Sequence, residues 1–352
     1  MTQTGNNPEF NVIHLKTALL SATALAAATI AAQAEPKVVA SIKPVHSLVA
    51  AVMEGVGEPA LIVEGAGSPH TYALKPSQAV TLEEADLVFW VGHELEAFLE
   101  KPIETVAAKA TSVELIDAHD LTRLPFREGG AFEKHSHDDE GEHAHEEDHD
   151  DHDHAGEAED DGHDHEETAG EHDHDHEHGE FDAHVWLDPA NAKAMVHEIE
   201  EALVKADPDN TASYEANAEA VMAKLDALTA EVAAELEPVK DKGFIVFHDA
   251  YQYFENRFGV TAAGSITVSP EVMPGAERVG EIQAKVKELG AACVFSEPQF
   301  EPKLVSTVTE GTAARSAVLD PLGADLQDGP DLYFGLIRNL ATSMRDCLGG
   351  NS

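Results

Sequence analysis

The sequence predicts an α/β protein of two lobes, each a parallel β-sheet flanked by helices, joined by a long rigid helix. Three observations carry that prediction. Short β-rich runs alternate with helical stretches on both sides of a central region, which is the pattern of parallel sheets. Residues 211–236 contain no Gly or Pro and carry apolar residues at helical spacing. At 352 residues and 43% hydrophobic composition, the chain is long enough for two cores.

At the N-terminus, Lys16 precedes the run TALLSATALAAATIAAQA, ending in Ala32, Gln33 and Ala34. This is the pattern of a secretory signal peptide over 1–34. The run is too rich in Ala, Ser and Thr for a membrane span, and no later segment reaches the roughly 20 apolar residues a span needs. An exported protein, soluble outside the cytoplasm, is expected. The first lobe then covers 35–210: strand KVVASI, helix HSLVAAVMEGV, strand PALIVEGAG, helix PSQAVTLEEA, strand DLVFWVG, and the segment VELIDAH. A tract at 133–180 interrupts it, and structure resumes at HVWLDP with a helix through NAKAMVHEIEEALVKA. The joining helix is assigned to 211–238. The second lobe, 239–352, runs GFIVFHD, AYQYFENRF, VTAAGSI, GAERVGEIQAKVKELG, ACVFSE, LVSTVTEGTAA, AVLD and a terminal helix YFGLIRNLATSMRDCL. No internal sequence repeat accompanies the alternation.

The tract holds 13 of the 21 histidines and 23 of the 67 acidic residues, with Lys134 its only base. Such a segment cannot bury enough apolar surface to offset chain entropy, so it is expected to be disordered. Imidazoles at His149, His152, His154, His163, His165, His172, His174, His176 and His178, interleaved with carboxylates, predict many weak, interchangeable metal sites. The alternative is a plain solvated acidic run. Within the tract, His145, Glu146 and His149 spell HEEDH. A zinc protease needs that pattern on a rigid helix, and no apolar periodicity flanks it here.

The formal charge is −45, of which the tract carries −22. The remainder is still acidic, which excludes nucleic acid and anionic lipid as partners. Cys293 and Cys347 are the only cysteines. In an exported chain an even pair is expected to be bonded. Closing a loop of about 55 residues would stabilise the C-terminal part by roughly 4 kcal/mol. Zinc ligation by the pair is the weaker alternative, because neither lies in a CxxC.

Open α/β sheets place ligand sites at the carboxyl ends of their strands. Four residues are expected there: His70 after PALIVEGAGSP, His184 in FDAHVWLDP, His248 ending GFIVFHD, and Asp320 ending AVLD. Each alone reads as an ordinary hydrogen-bonded residue. Two from each lobe, meeting in a cleft, would make a site. His46, His93, His119 and His197 match no metal motif and are read as structural. Asp249 and Glu297 are candidates to accept imidazole N–H bonds, which ligating histidines require.

The series SPHTYALKPSQ, DAHVWLDP, FHDAYQYFENRFG, SPEVMPGAERV, CVFSEPQF and LDPLG resembles the cluster A-I periplasmic metal-binding proteins. Within them it is similar to the ZnuA-like zinc-binding components of bacterial ABC uptake systems. The resemblance spans essentially the whole mature chain. It implies two α/β lobes joined by a rigid helix, Zn²⁺ carried between them, and delivery to an inner-membrane ABC permease. A charged His-rich insertion and a C-terminal disulfide also fit that branch. The family's three zinc histidines fall on His70, His184 and His248, and Asp320 matches the carboxylate that completes the site in many relatives. Some relatives place an acidic ligand just before the first histidine, where this chain has Pro69, and in others water fills the fourth coordination place. Retaining three imidazoles favours zinc over manganese.

The expectation is therefore a non-catalytic zinc carrier, a monomer, whose affinity falls below about pH 6.5 as its histidines protonate. Alternatives are a manganese or nickel carrier, a periplasmic zinc chaperone, or a zinc hydrolase with an open position for activated water.

Overall fold

The β-rich runs form short, parallel, largely buried strands. The structure is a computed structural model that describes residues 35–127, 132, 181–267, 274–288, 293–301 and 303–350. The leader expected at 1–34, and the tract at 133–180 with the weak metal sites placed on it, lie outside the described residues. In the first lobe, β1 (Val38–Ala40) lies between β2 (Ala60–Leu61) and β3 (Leu87–Trp90), with β4 (Thr111–Glu114) at the edge. In the second, β5 (Phe244–His248) lies between β6 (Ala262–Thr267) and β7 (Cys293–Ser296), with β8 (Arg315–Val318) at the edge. All six strand pairings are parallel. The orders β2-β1-β3-β4 and β6-β5-β7-β8 repeat one topology, although the sequence shows no repeat. Each sheet reverses its winding beside its first strand, where open sheets bind ligands.

The crossover helices are α1 (Lys43–Val52), α2 (Pro76–Glu83) and α3 (Ala97–Thr105) in the first lobe. The pattern did not single out α3, and Pro102 lies inside it. After the tract, Asp188 starts α4 (Pro189–Ala206) by accepting from the Ala190 amide at 2.8 Å, with Pro189 in the first turn. The second lobe holds α6 (Gln252–Phe258), α7 (Ala276–Glu288), α8 (Lys303–Thr309) and α9 (Leu332–Gly349). Gly259, at φ 70°, ends α6 in the left-handed conformation that favours glycine.

Between the lobes runs α5 (Thr211–Leu236), which stops two residues short of the 211–238 assigned to the joining helix because a 3₁₀ turn, Glu237–Val239, follows it. It buries Tyr214, Ala218, Val221, Leu225, Leu228, Val232 and Leu236, a stripe spaced by three and four residues. That stripe packs on α1, α4 and α9. The core is continuous across the lobes: Val39, Leu48 and Phe89 of the first share one buried cluster with Phe244, Phe295 and Leu340 of the second. Along β5, Ile245 and Phe247 alternate to the other face and join a smaller cluster with Ile282 and Val294. The expected disulfide links Cys293 in β7 to Cys347 in α9, with Cα atoms 6.1 Å apart. Among the described residues no helix is long and apolar enough to cross a membrane.

Candidate metal centre

His70 rides the loop between β2 and α2, and the surrounding motif explains how that loop is held. Gln78 donates from Nε2 to the Ile62 carbonyl at 2.6 Å and to the Tyr72 hydroxyl at 2.9 Å. Its Oε1 accepts from the Lys75 amide, closing the start of α2. Tyr72 Oη also donates to the Ile62 carbonyl. One amide and one phenol thus pin the loop that carries the imidazole.

His184 sits where the chain returns from the tract, just before a single 3₁₀ turn, Val185–Leu187. No strand ends there, so the strand-end expectation fails for this residue. It also fails for His70, because β2 is two residues long and stops well short of it. Asp182 Oδ1 accepts from both the amide and Nδ1 of His184, at 3.0 and 2.7 Å. Asp182 was not among the sequence candidates; a carboxylate two residues before a histidine is the signal that would have named it. Trp186 donates from its indole to the Pro321 carbonyl at 2.8 Å, and its own carbonyl accepts from Tyr333 at 2.7 Å. Both bonds cross to the second lobe.

His248 is the last residue of β5, at the strand end as expected. Glu297, just past the adjacent β7, accepts from its Nδ1 at 2.7 Å. Asp249, the other candidate acceptor, does not take that role: its carboxylate binds Arg127 instead.

With Nδ1 committed to a carboxylate, His184 and His248 each turn Nε2 toward the other. Those nitrogens are 3.2 Å apart, and His184 Nε2 is 3.3 Å from His70 Nε2. The donor nitrogens of all three lie within 4.8 Å of one another. The pocket they line has a volume of about 10 Å³, walled by Pro69, Trp186, Phe300 and Pro321. That is room for one ion or one water. Burial, and then the neighbouring His184 and His248, push the His70 pKa well below its usual range, so its imidazole is neutral over ordinary pH. Burial also works against the His248 imidazolium, but Glu297, with Asp249 and Asp182 behind it, outweighs this and raises its pKa.

Asp320 is not in the converging group. Its Oδ1 accepts from the amides of Leu322 and Gly323 and from Gln299 Nε2, and its Oδ2 accepts from the Ala324 amide at 2.6 Å. It shapes the LDPLG turn. The other histidines among the described residues also stand apart. His46 Nε2 bonds the Pro59 carbonyl, His93 lies beside Glu94 and Glu114, His119 beside Asp120, and His197 beside Glu200 and Glu201.

The family model of ZnuA, zinc-uptake complex component A, periplasmic, matches residues 38–347. The chain belongs to the ZnuA family. It is similar to the high-affinity zinc uptake system protein ZnuA of Brucella abortus (strain 2308), at 63% identity over 311 residues, covering 88% of this chain and 91% of that protein. Similarity to the protein of the same name from Yersinia pestis is 38% over 334 residues, covering 95% and 98%. Among solved structures, a crystal structure of ZnuA superimposes with a TM-score of 0.68 at 23% identity, covering 89% of this chain and 99% of that one. The periplasmic zinc binding protein TroA from Treponema pallidum gives 0.68 at 18% identity, covering 90% and 99%. At those identities the structural likeness speaks for the two-lobed ZnuA fold alone.

Proposed function

We propose that this ZnuA-family chain is the periplasmic component of a high-affinity zinc uptake system, capturing Zn²⁺ on His70, His184 and His248 and delivering it to an inner-membrane ABC permease. One observation carries the assignment of the site. Whenever both imidazoles are neutral, with Nδ1–H held by a carboxylate, their Nε2 lone pairs 3.2 Å apart repel unless a cation, a metal ion or a shared proton, lies between them. Nitrogens about 2.05 Å from one tetrahedral zinc stand about 3.3 Å apart, close to the 3.2 and 3.3 Å that separate His184 Nε2 from its two neighbours. Charge balance points the same way, since three imidazoles backed by the carboxylates of Asp182 and Glu297 suit a divalent cation.

The fourth place goes to water in this reading, because Asp320 spends its oxygens on backbone amides. Release follows from a local rearrangement that lowers affinity, since the continuous core and the crossing bonds of Trp186 and Tyr333 resist a wide hinge. Export through a leader at 1–34, weak metal sites on the 133–180 tract and a monomeric state belong to the same proposal. The family is one of transport components, not enzymes, and the hydrolase alternative falls with it.

The test is growth and zinc accumulation at limiting zinc, in cells lacking their own periplasmic zinc component but keeping the permease. The wild-type chain restores both and His248→Ala does not. Restoration by His248→Ala, or rescue only under limiting manganese or nickel, would overturn the proposal. Tight zinc binding without any uptake would favour the chaperone reading.

A further inference from the structure

The segments that leave for the tract and return from it are tied to each other and then to the opposite lobe. The Asp182 amide donates to the Leu124 carbonyl at 2.9 Å, and Pro125 bridges Phe181 in antiparallel fashion. The Tyr253 hydroxyl in α6 takes the Leu124 amide at 2.9 Å and donates to the Asp182 carbonyl at 2.7 Å. Beyond it, the Arg127 guanidinium spans two carboxylates of the second lobe. Nε and Nη2 go to Asp249, Nη1 reaches Glu255 at 2.7 Å and Nη2 reaches it at 3.1 Å. Phe132 covers the guanidinium face at 4.2 Å. Asp249 is 7% and Glu255 4% exposed, so one fork serves two buried acids, which a lysine's point charge cannot do.

The placement of this cluster matters. Asp249 follows His248 in the chain, and the returning segment runs from Phe181 through Asp182 to His184. We propose that Arg127 is a positioning residue for the metal centre: by clamping the outgoing segment onto Asp249 and Glu255, it holds Asp182, and through it the His184 imidazole, in register with His248. The inference rests on the three-histidine reading above. It also locates what the centre needs from the insertion in its root, Arg127 and Phe132, and not in residues 133–180.

The experiment uses the full chain carrying Arg127→Met together with Glu255→Gln, which removes the fork without stranding a second buried charge. Folding is checked by circular dichroism, and Arg338→Met, which breaks the distant pair with Glu231, serves as control. Two readouts follow: the rate at which a chelator strips the slowest-released zinc, and the imidazole ¹⁵N signals of His184 in zinc-free protein, assigned by their loss in His184→Ala. The expected result is release faster by about 10-fold or more and loss of the fixed Nδ1–H tautomer of His184, with the control unchanged. Parent-like release and a fixed tautomer in the folded double variant would overturn the proposal. Should that variant not fold, Arg127→Lys decides: it keeps the charge and loses the fork, so faster release supports the clamp and the parent rate overturns it. His184→Ala separates the two readings, because slow-released zinc surviving in it refutes the three-histidine site whatever Arg127 does.

Discussion

His248 Nδ1 lies 2.7 Å from a carboxylate oxygen of Glu297, across the ends of the paired strands β5 and β7. In the three-histidine reading, the second lobe supplies both a ligand and the group that orients it from one switch point. Glu297→Gln keeps an acceptor and removes the charge. The account predicts zinc affinity lower by about 10-fold, read by competition with a chelator. Unchanged affinity would show that Glu297 does not orient a ligand.

Asp320 supports a turn, not the ion, in this account. Asp320→Asn should cost about 1 kcal/mol through the lost bond to the Ala324 amide and change zinc affinity by no more than about 3-fold, well under the effect of losing an orienting partner. Thermal unfolding and chelator competition check the two halves. An affinity loss above about 100-fold would place Asp320 among the ligands.

Glu96 gives the first lobe a pH dependence. It is fully buried after β3, where burial pushes its carboxyl up to about 7 against bonds from Ser41 Oγ and the amides of Gly92 and Val91. A raised carboxyl contributes stability that is fully present below its ordinary value near 4.5 and lost as pH climbs through 7. The loss is on the order of 3 kcal/mol. Glu96→Gln mimics the neutral acid, with its amide facing Ser41 and its oxygen facing the amides. The variant should gain stability over the parent between pH 5 and 8, measured by denaturant unfolding. Parallel curves for parent and variant would refute this.

Reduction, or Cys293→Ser with Cys347→Ser, should destabilise the protein by roughly 4 kcal/mol, because the bond closes a loop across a sequence separation of 54. The bond joins β7 to α9 and does not touch the histidines, so zinc affinity at a temperature where the variant stays folded should be that of the parent. Calorimetry with and without reductant measures both.

The reach of the sequence can be judged residue by residue. The start of α5 was legible, and its end to within two residues, because an uninterrupted three-and-four stripe leaves no other reading. The ending of β5 at His248 was legible because FIVFHD is a buried run with a polar stop. The pairing of Asp182 with His184 was within reach. Others were not: the partners of Arg127 lie 122 and 128 residues away, and nothing local distinguishes Asp249 as an acceptor for a guanidinium from an acceptor for an imidazole. The amides that occupy Asp320 come from a turn whose geometry LDPLG does not announce. The common topology of the two sheets was equally hidden, because short buried strands of Val, Phe and Ile can repeat an order without repeating a sequence.

The central claim is a three-histidine zinc site at the lobe boundary, independent of the tract. Its most direct test is a zinc titration, with manganese as competitor, of protein lacking residues 133–180, beside the same protein carrying His70→Ala. The account predicts one tight zinc equivalent that manganese does not displace and that the substitution abolishes. Absence of tight binding without the tract, displacement by manganese, or tight binding that survives His70→Ala would contradict it.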